Sequence, residues 1–100
     1  MLTINTTIEG NKLTLEPVGR LDTNNAPKLL DAFNEYEESV DEVVVDLGKT
    51  EYLSSAALRV LLSMQKIMNK KGKMTIVNPS EDAMDIFDLT GFTNLLNIKS

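Results

Sequence analysis

A mixed α/β fold, with a four- to five-stranded sheet opened by an N-terminal hairpin and helices packed mainly on one face, is predicted by three features of the sequence. Period-two alternation runs through Leu2, Ile4, Thr6 and Ile8, breaks at Gly10-Asn11, and resumes with Leu13, Leu15 and Val18, which predicts a hairpin. The β-branched run Val43-Val44-Val45 suits a central strand with helices on one or both sides. A second strand pattern, Met74 to Val77, follows a helical pattern, and a strand, helix, strand order of this length joins parallel neighbours.

Each element has a local cause. Pro17 cannot donate to a ladder, so the second strand should lie at an edge or carry an irregularity near its end. Asp22-Thr23-Asn24-Asn25 supplies four candidate N-cap residues, and Pro27 is tolerated only in a first helical turn. Ala26, Leu29, Leu30, Phe33 and Tyr36 then recur at helical spacing, and that helix should end near Ser39. A second helix is predicted from Ser54 or Ser55 to about Lys70, with Gly72 as its stop. Asn78-Pro79-Ser80 closes the next strand and caps a third helix, whose first turn holds Glu81 and Asp82 and which stops at Gly91. A short apolar tail from Phe92 to Ile98 completes the core, and no repeat or linker interrupts residues 1–100, which predicts one domain.

Composition narrows the chemistry. With 100 residues, 42% of them hydrophobic, the chain fits one compact domain. It has no His and no Cys, which removes Ser/His/Asp and Cys/His nucleophile pairs, thiolate or imidazole zinc sites and disulfides. No catalytic residue, metal ligand or cofactor is assigned. The net charge of −5 opposes binding to nucleic-acid phosphates or an anionic membrane. No run approaches a membrane span, no signal-peptide pattern opens the chain, and a soluble cytoplasmic protein with protein partners is expected. The acidic stretch from Asp31 to Glu51 and the basic one from Arg59 to Lys73 read as solvated helix faces.

Most chemistry-bearing residues have ordinary explanations. Asp22, Asp46 and Glu51 sit near element ends at unspecific spacing, which suits capping and surface roles. The five glycines never cluster into a phosphate loop, and the five aromatics are spaced as core residues. Tyr52-Leu53-Ser54-Ser55-Ala56-Ala57-Leu58 differs, because it puts two adjacent hydroxyls at the mouth of a helix. Serine there is an N-cap, or it is a phosphorylation site, since helix N-termini stabilise phosphate through free N–H groups and the helix dipole.

Several stretches together resemble one family, the STAS-domain anti-sigma factor antagonists of bacteria. They are Gly19-Arg20-Leu21-Asp22-Thr23 with Ala26-Pro27, Val43 to Leu47 followed by Tyr52 to Leu62, and Leu89-Thr90-Gly91-Phe92. The resemblance covers the full chain and implies a single STAS domain. It implies a non-enzymatic protein that, when unphosphorylated, binds an anti-sigma factor serine kinase and so releases a sigma factor. By the register of Leu58 it identifies Ser55 as the phosphorylated residue, with a metal-dependent, PPM-type serine phosphatase reversing the mark. It places Asp22, Thr23, Ser54, Ala56, Ala57 and Arg59 on the partner-binding surface. Ala57 stands where the family usually has glycine. That departure stabilises the helix by ~1 kcal/mol and is the one feature favouring the alternative, a non-switching STAS subunit of a stress-sensing complex or lipid-transport machinery.

Overall fold

The computed structural model describes residues 2–99, so Met1 and Ser100 of the expected 1–100 domain lie outside the described residues. Strands β1 (Leu2–Glu9) and β2 (Lys12–Leu21) form the N-terminal hairpin, with Gly10 at the turn in the left-handed region at φ 61°. Helix α1 (Ala26–Tyr36) tightens into a 3-10 turn at Glu37–Ser39 and leads to β3 (Glu42–Asp46). Strand β4 (Thr50–Leu53), helix α2 (Ser55–Asn69), strand β5 (Lys73–Val77), helix α3 (Glu81–Thr90) and the two-residue strand β6 (Ile98–Lys99) follow.

The sheet is mixed, as predicted, but six-stranded rather than four- to five-stranded. Its order is β1-β2-β3-β5-β6, with β4 pairing β2 beyond the end of β3. Among the described residues, only the β1–β2 pair is antiparallel. β4 and β6 are four and two residues long, too short to show a period-two signal in sequence.

One face of the sheet carries the helices. Ile8, Leu13, Val43 and Met74 form one cross-strand row on that face, and Thr6, Leu15, Val45 and Ile76 the next. Against these rows pack Leu29 and Phe33 of α1, Leu58, Leu61, Met64 and Met68 of α2, and Phe87 of α3, all in one core cluster. The opposite face is largely open, with Thr14 and Val44 half-exposed, although Thr75 beside them is buried. β3 alternates buried Val43 and Val45 with half-exposed Glu42, Val44 and Asp46, so this β-branched strand is central but covered on one side alone. A row of alternating charge, Glu9, Lys12, Glu42 and Lys73, crosses four strands of the open face, and its Lys73–Glu42 pair is 3.8 Å apart.

Pro17 takes the second of its two expected forms. β2 is an inner strand, and Pro17 falls between the end of the β3 ladder at Leu15↔Val45 and the start of the β4 ladder at Gly19↔Thr50. Its carbonyl accepts a 2.8 Å hydrogen bond from the Thr50 hydroxyl, and the register shifts between Gly19 and Arg20. The missing N–H therefore lies where the β3 and β4 ladders are interrupted. Gly72 is required for a reason other than stopping a helix, because a Cβ there would lie 1.8 Å from the Asp41 carbonyl oxygen.

Candidate functional site

Two turns meet at one edge of the sheet because β2 and β4 run parallel. Leu21 and Leu53 are neighbours across that pair, so Asp22 and Ser54 each follow directly from adjacent strand ends. The Ser54 N–H donates to the Leu21 carbonyl at 2.9 Å and fixes the two chains together. α1 and α2 both begin there, which directs two helix N-termini and their unpaired N–H groups to the same edge.

The two serines divide into distinct environments. Ser54 is the N-cap of α2, in extended conformation, and its hydroxyl accepts from the Ala57 N–H at 3.1 Å. It is 5% exposed. Ser55 is the first residue of the helix and is exposed, and among the described residues its hydroxyl has no hydrogen-bond partner. The capping reading therefore belongs to Ser54, and Ser55 is left with a free nucleophilic oxygen at a helix N-terminus.

The remaining expected site residues separate in the same way. Ala56 is half-buried, and Arg59, one turn beyond Ser55, is exposed, as is Thr23. Ala57 is completely buried and faces the core. The expectation that Ser54 and Ala57 belong to the contact surface does not hold for their side chains. The capping bond turns the Ser54 hydroxyl inward, and the helical turn carries the Ala57 methyl under the surface.

Asp22 is partly buried and structurally engaged. Its Oδ1 accepts from the N–H groups of Asn24 and Asn25, both at 2.9 Å. Asn25 answers with its own Oδ1, which accepts from the Asp22 N–H at 2.9 Å, while its amide nitrogen donates to the Arg20 carbonyl at 2.8 Å. Asn25 is the N-cap of α1 by position but makes no side-chain capping bond; the Asp22 side chain closes the turn ahead of the helix, and its backbone carbonyl accepts from the Ala26 N–H at 2.9 Å.

Four features escaped the sequence reading. Asn25 holds the turn reciprocally with Asp22. The Arg20 guanidinium lies 4.4 Å from the centre of the Tyr52 ring, a cation–π pair across the β2–β4 ladder. A cleft of about 350 Å³ opens between β4 and α3, with Leu47, Leu53, Ala83 and Ile86 among its lining and Asp82 and Asp85 beside them. Asp46 Oδ1 accepts from the Gly48 N–H at 2.9 Å and from the Asn78 side-chain amide at 3.2 Å, which ties the loop after β3 to the loop before α3. The residues concerned were visible individually, but the pairing of β4 with β2 that sets Arg20 beside Tyr52 was not.

Among the described residues, no group of three or more acidic side chains is placed to hold a metal ion, and no helix is long and apolar enough to cross a membrane. The arrangement offers an exposed hydroxyl on a rigid shoulder beside a fixed, acidic turn.

Comparison with known proteins finds likenesses in sequence and in fold. Over 91 residues the chain is 25% identical to the anti-sigma-B factor antagonist of Bacillus subtilis, covering 90% of this chain and 84% of the relative. It is 32% identical over 57 residues to a Bordetella bronchiseptica protein, BtrV, described as an anti-sigma factor antagonist; that match covers 56% of this chain and spans 49% of the relative. Among solved structures, an anti-sigma factor antagonist from Mycobacterium paratuberculosis superposes with a TM-score of 0.88 at 21% identity, over 98% of this chain and 85% of the other. The Bacillus protein SpoIIAA, solved in its phosphorylated form, superposes at 0.75 with 12% identity, over 100% of this chain and 92% of the other. These two likenesses establish the fold. The sequence pattern of the STAS domain matches residues 3–100, and the chain belongs to the STAS domain family, whose anti-sigma factor antagonists are regulatory binding proteins and not enzymes.

Proposed function

We propose that the chain is an anti-sigma factor antagonist switched by phosphorylation of Ser55. The observation that carries this reading is the division of labour between adjacent serines: Ser54 spends its hydroxyl on the helix cap, and Ser55 keeps its hydroxyl free and exposed. The unphosphorylated chain docks on an anti-sigma factor that is itself a serine kinase and thereby releases a sigma factor. Thr23, Ala56 and Arg59 form the contact around Ser55, Asp22 flanks it, and Ser54 and Ala57 support it from beneath.

In the switching step the Ser55 Oγ attacks the γ-phosphorus of ATP, the bond to the β,γ-bridging oxygen breaks, ADP leaves, and the hydroxyl proton passes to a base of the kinase. A PPM-type phosphatase delivers water to the phosphorus, the bond from phosphorus to the Ser55 Oγ breaks, Oγ takes up a proton, and inorganic phosphate leaves. The added charge of roughly −1.5 to −2 weakens docking by desolvation cost and like-charge repulsion. SpoIIAA, a structural neighbour of this chain, exists in phosphorylated and unphosphorylated forms, which supports the reading by analogy. The constitutive alternative rested on Ala57, and with that methyl group buried it meets the core rather than an approaching kinase.

Phosphate-affinity electrophoresis of the chain from its native cell tests this. Two interconverting bands are expected, with Ser55→Ala collapsing them to one and Ser54→Ala retaining both. A shifted band in Ser55→Ala, or a single unshifted band for the parent under all growth conditions, overturns it.

A further inference from the structure

Strand β1 forms an outer edge of the sheet. It pairs with β2 through eight consecutive positions, from Leu2↔Gly19 to Glu9↔Lys12, with no register shift, and no described strand lies on its other side. Such an edge exposes a continuous row of unpaired backbone N–H and C=O groups. Edges are normally blunted by lysine, proline, a bulge or short length. The opposite edge, β6, is short, with two residues that include Lys99. β1 has none of these devices: its one charge is Glu9 at the end, and Leu2-Thr3-Ile4-Asn5-Thr6-Thr7-Ile8 holds five β-branched residues, no charge and no proline. Ile8 is 43% exposed, although the rest of its cross-strand row, Leu13, Val43 and Met74, is completely buried.

We propose that β1 is the docking edge for a second copy of this chain, pairing antiparallel with its twin about Asn5. Antiparallel self-pairing is the arrangement a two-fold axis generates, and it makes the edge complementary to itself. Period two restricts the register, because a slip of one residue would put the core-facing row of one copy against the open-face row of the other. Centred on Asn5, Leu2 of one copy lies beside Ile8 of the other and covers it, Ile4 lies beside Thr6, Thr3 beside Thr7, and Asn5 faces its twin. Glu9 falls outside the paired span, so no acidic side chain enters the new ladder. None of Asp22, Thr23 or Ser54 to Arg59 lies on β1, so this pairing does not rest on the Ser55 reading.

Sedimentation velocity on the full chain tests the pairing. The expected result is a concentration-dependent rise from 11.1 kDa to twice that mass. Asn5 donates to the Glu16 carboxylate at 3.0 Å, so Asn5→Lys keeps a partner within its own copy while setting two lysines face to face. It should weaken the dimer by ~5-fold. The chain has no cysteine, so single cysteines report the register directly. Asn5→Cys should form an intermolecular disulfide under mild oxidant, since directly opposed Cα atoms lie about 4.5–5.5 Å apart. Thr7→Cys should not, because four residues of offset separate the twins by ~13 Å. A mass of 11.1 kDa up to the solubility limit overturns the inference. So does equal cross-linking of the two cysteine variants, or an Asn5→Lys dimer as tight as the parent.

Discussion

Replacing Ser54 and Ser55 one at a time by alanine separates the structural hydroxyl from the chemical one. Ser54→Ala removes the acceptor of the Ala57 N–H at a position 5% exposed, beside a completely buried residue. An N-cap serine is worth ~1 kcal/mol, and a buried donor left without a partner raises the loss toward ~2 kcal/mol. For a domain of this size that corresponds to a fall in Tm of roughly 4–8 °C per kcal/mol. With a urea m-value of ~2 kcal/mol/M it moves the midpoint by ~0.5–1 M at unchanged slope. Ser55→Ala breaks no hydrogen bond among the described residues and should stay within about 0.5 kcal/mol of the parent. Thermal and urea unfolding followed by circular dichroism give both numbers, and a kinase assay on the same samples gives the other half. The folded Ser54 variant accepts phosphate, and the Ser55 variant does not. Equal destabilisation by the two substitutions would refute the capping assignment and, with it, the argument that leaves the Ser55 hydroxyl free.

Gly72→Ala should cost ~3 kcal/mol, the upper end of overpacking, because its new Cβ meets the Asp41 carbonyl rather than a movable side chain; a urea midpoint near that of the parent would contradict this close approach. Asp22→Ala should lose ~1–2 kcal/mol by orphaning the N–H groups of Asn24 and Asn25, while Asp22→Asn keeps an acceptor and should lose under ~0.5 kcal/mol. Weak partner binding by stable Asp22→Asn would then report the charge and not the fold. Gln65→Leu leaves the Asn97 N–H without its 3.2 Å acceptor and should cost ~1–2 kcal/mol; amide exchange at Asn97 should speed up, and an unchanged rate would sink the assignment. Ser55→Asp places a carboxylate on the first residue of α2 and should raise stability by ~0.3–1 kcal/mol while weakening partner binding, whereas a lowered Tm would argue against an accessible helix N-terminus at Ser55.

Elements specified by local chemistry were legible in the sequence, and elements specified by their neighbours were not. The hairpin, the central β-branched strand, the start of α3 at Ser80 and its end at Gly91 each depend on residues a few positions apart. The structure repeats them, with the Ser80 hydroxyl accepting from the Ala83 N–H at 3.0 Å and Gly91 in the left-handed region. β4 was hidden because Thr50–Leu53 has buried ends and exposed middle residues, a pattern imposed by pairing with the far half of β2. The same pairing decides the site. Sequence alone left the cap shared between Ser54 and Ser55, and the Leu21 carbonyl resolves it by binding the Ser54 N–H, which fixes where the helix begins. Similarly, four capping candidates stood in the turn after β2. The cap position falls to Asn25, whose side chain is turned back to the Asp22 N–H and the Arg20 carbonyl, contacts that depend on the shape of the turn.

The structural bonds around Ser55 make it suited to a modification that leaves the fold alone. The shoulder it stands on is held by the Ser54 hydroxyl, the Ser54 N–H and the reciprocal Asp22–Asn25 bonds, and none of these uses the Ser55 side chain. A phosphate placed there meets no bond it must break and gains from the helix N-terminus. It also leaves the sign of a chain already at −5 unchanged, so a long-range reversal of the protein's field cannot be its effect. Under the proposed function, what remains is the short range: the charge and bulk presented to a partner docking around Ser55. A switch of this kind needs no catalytic residue of its own, because the bond-making and bond-breaking groups belong to the kinase and the phosphatase.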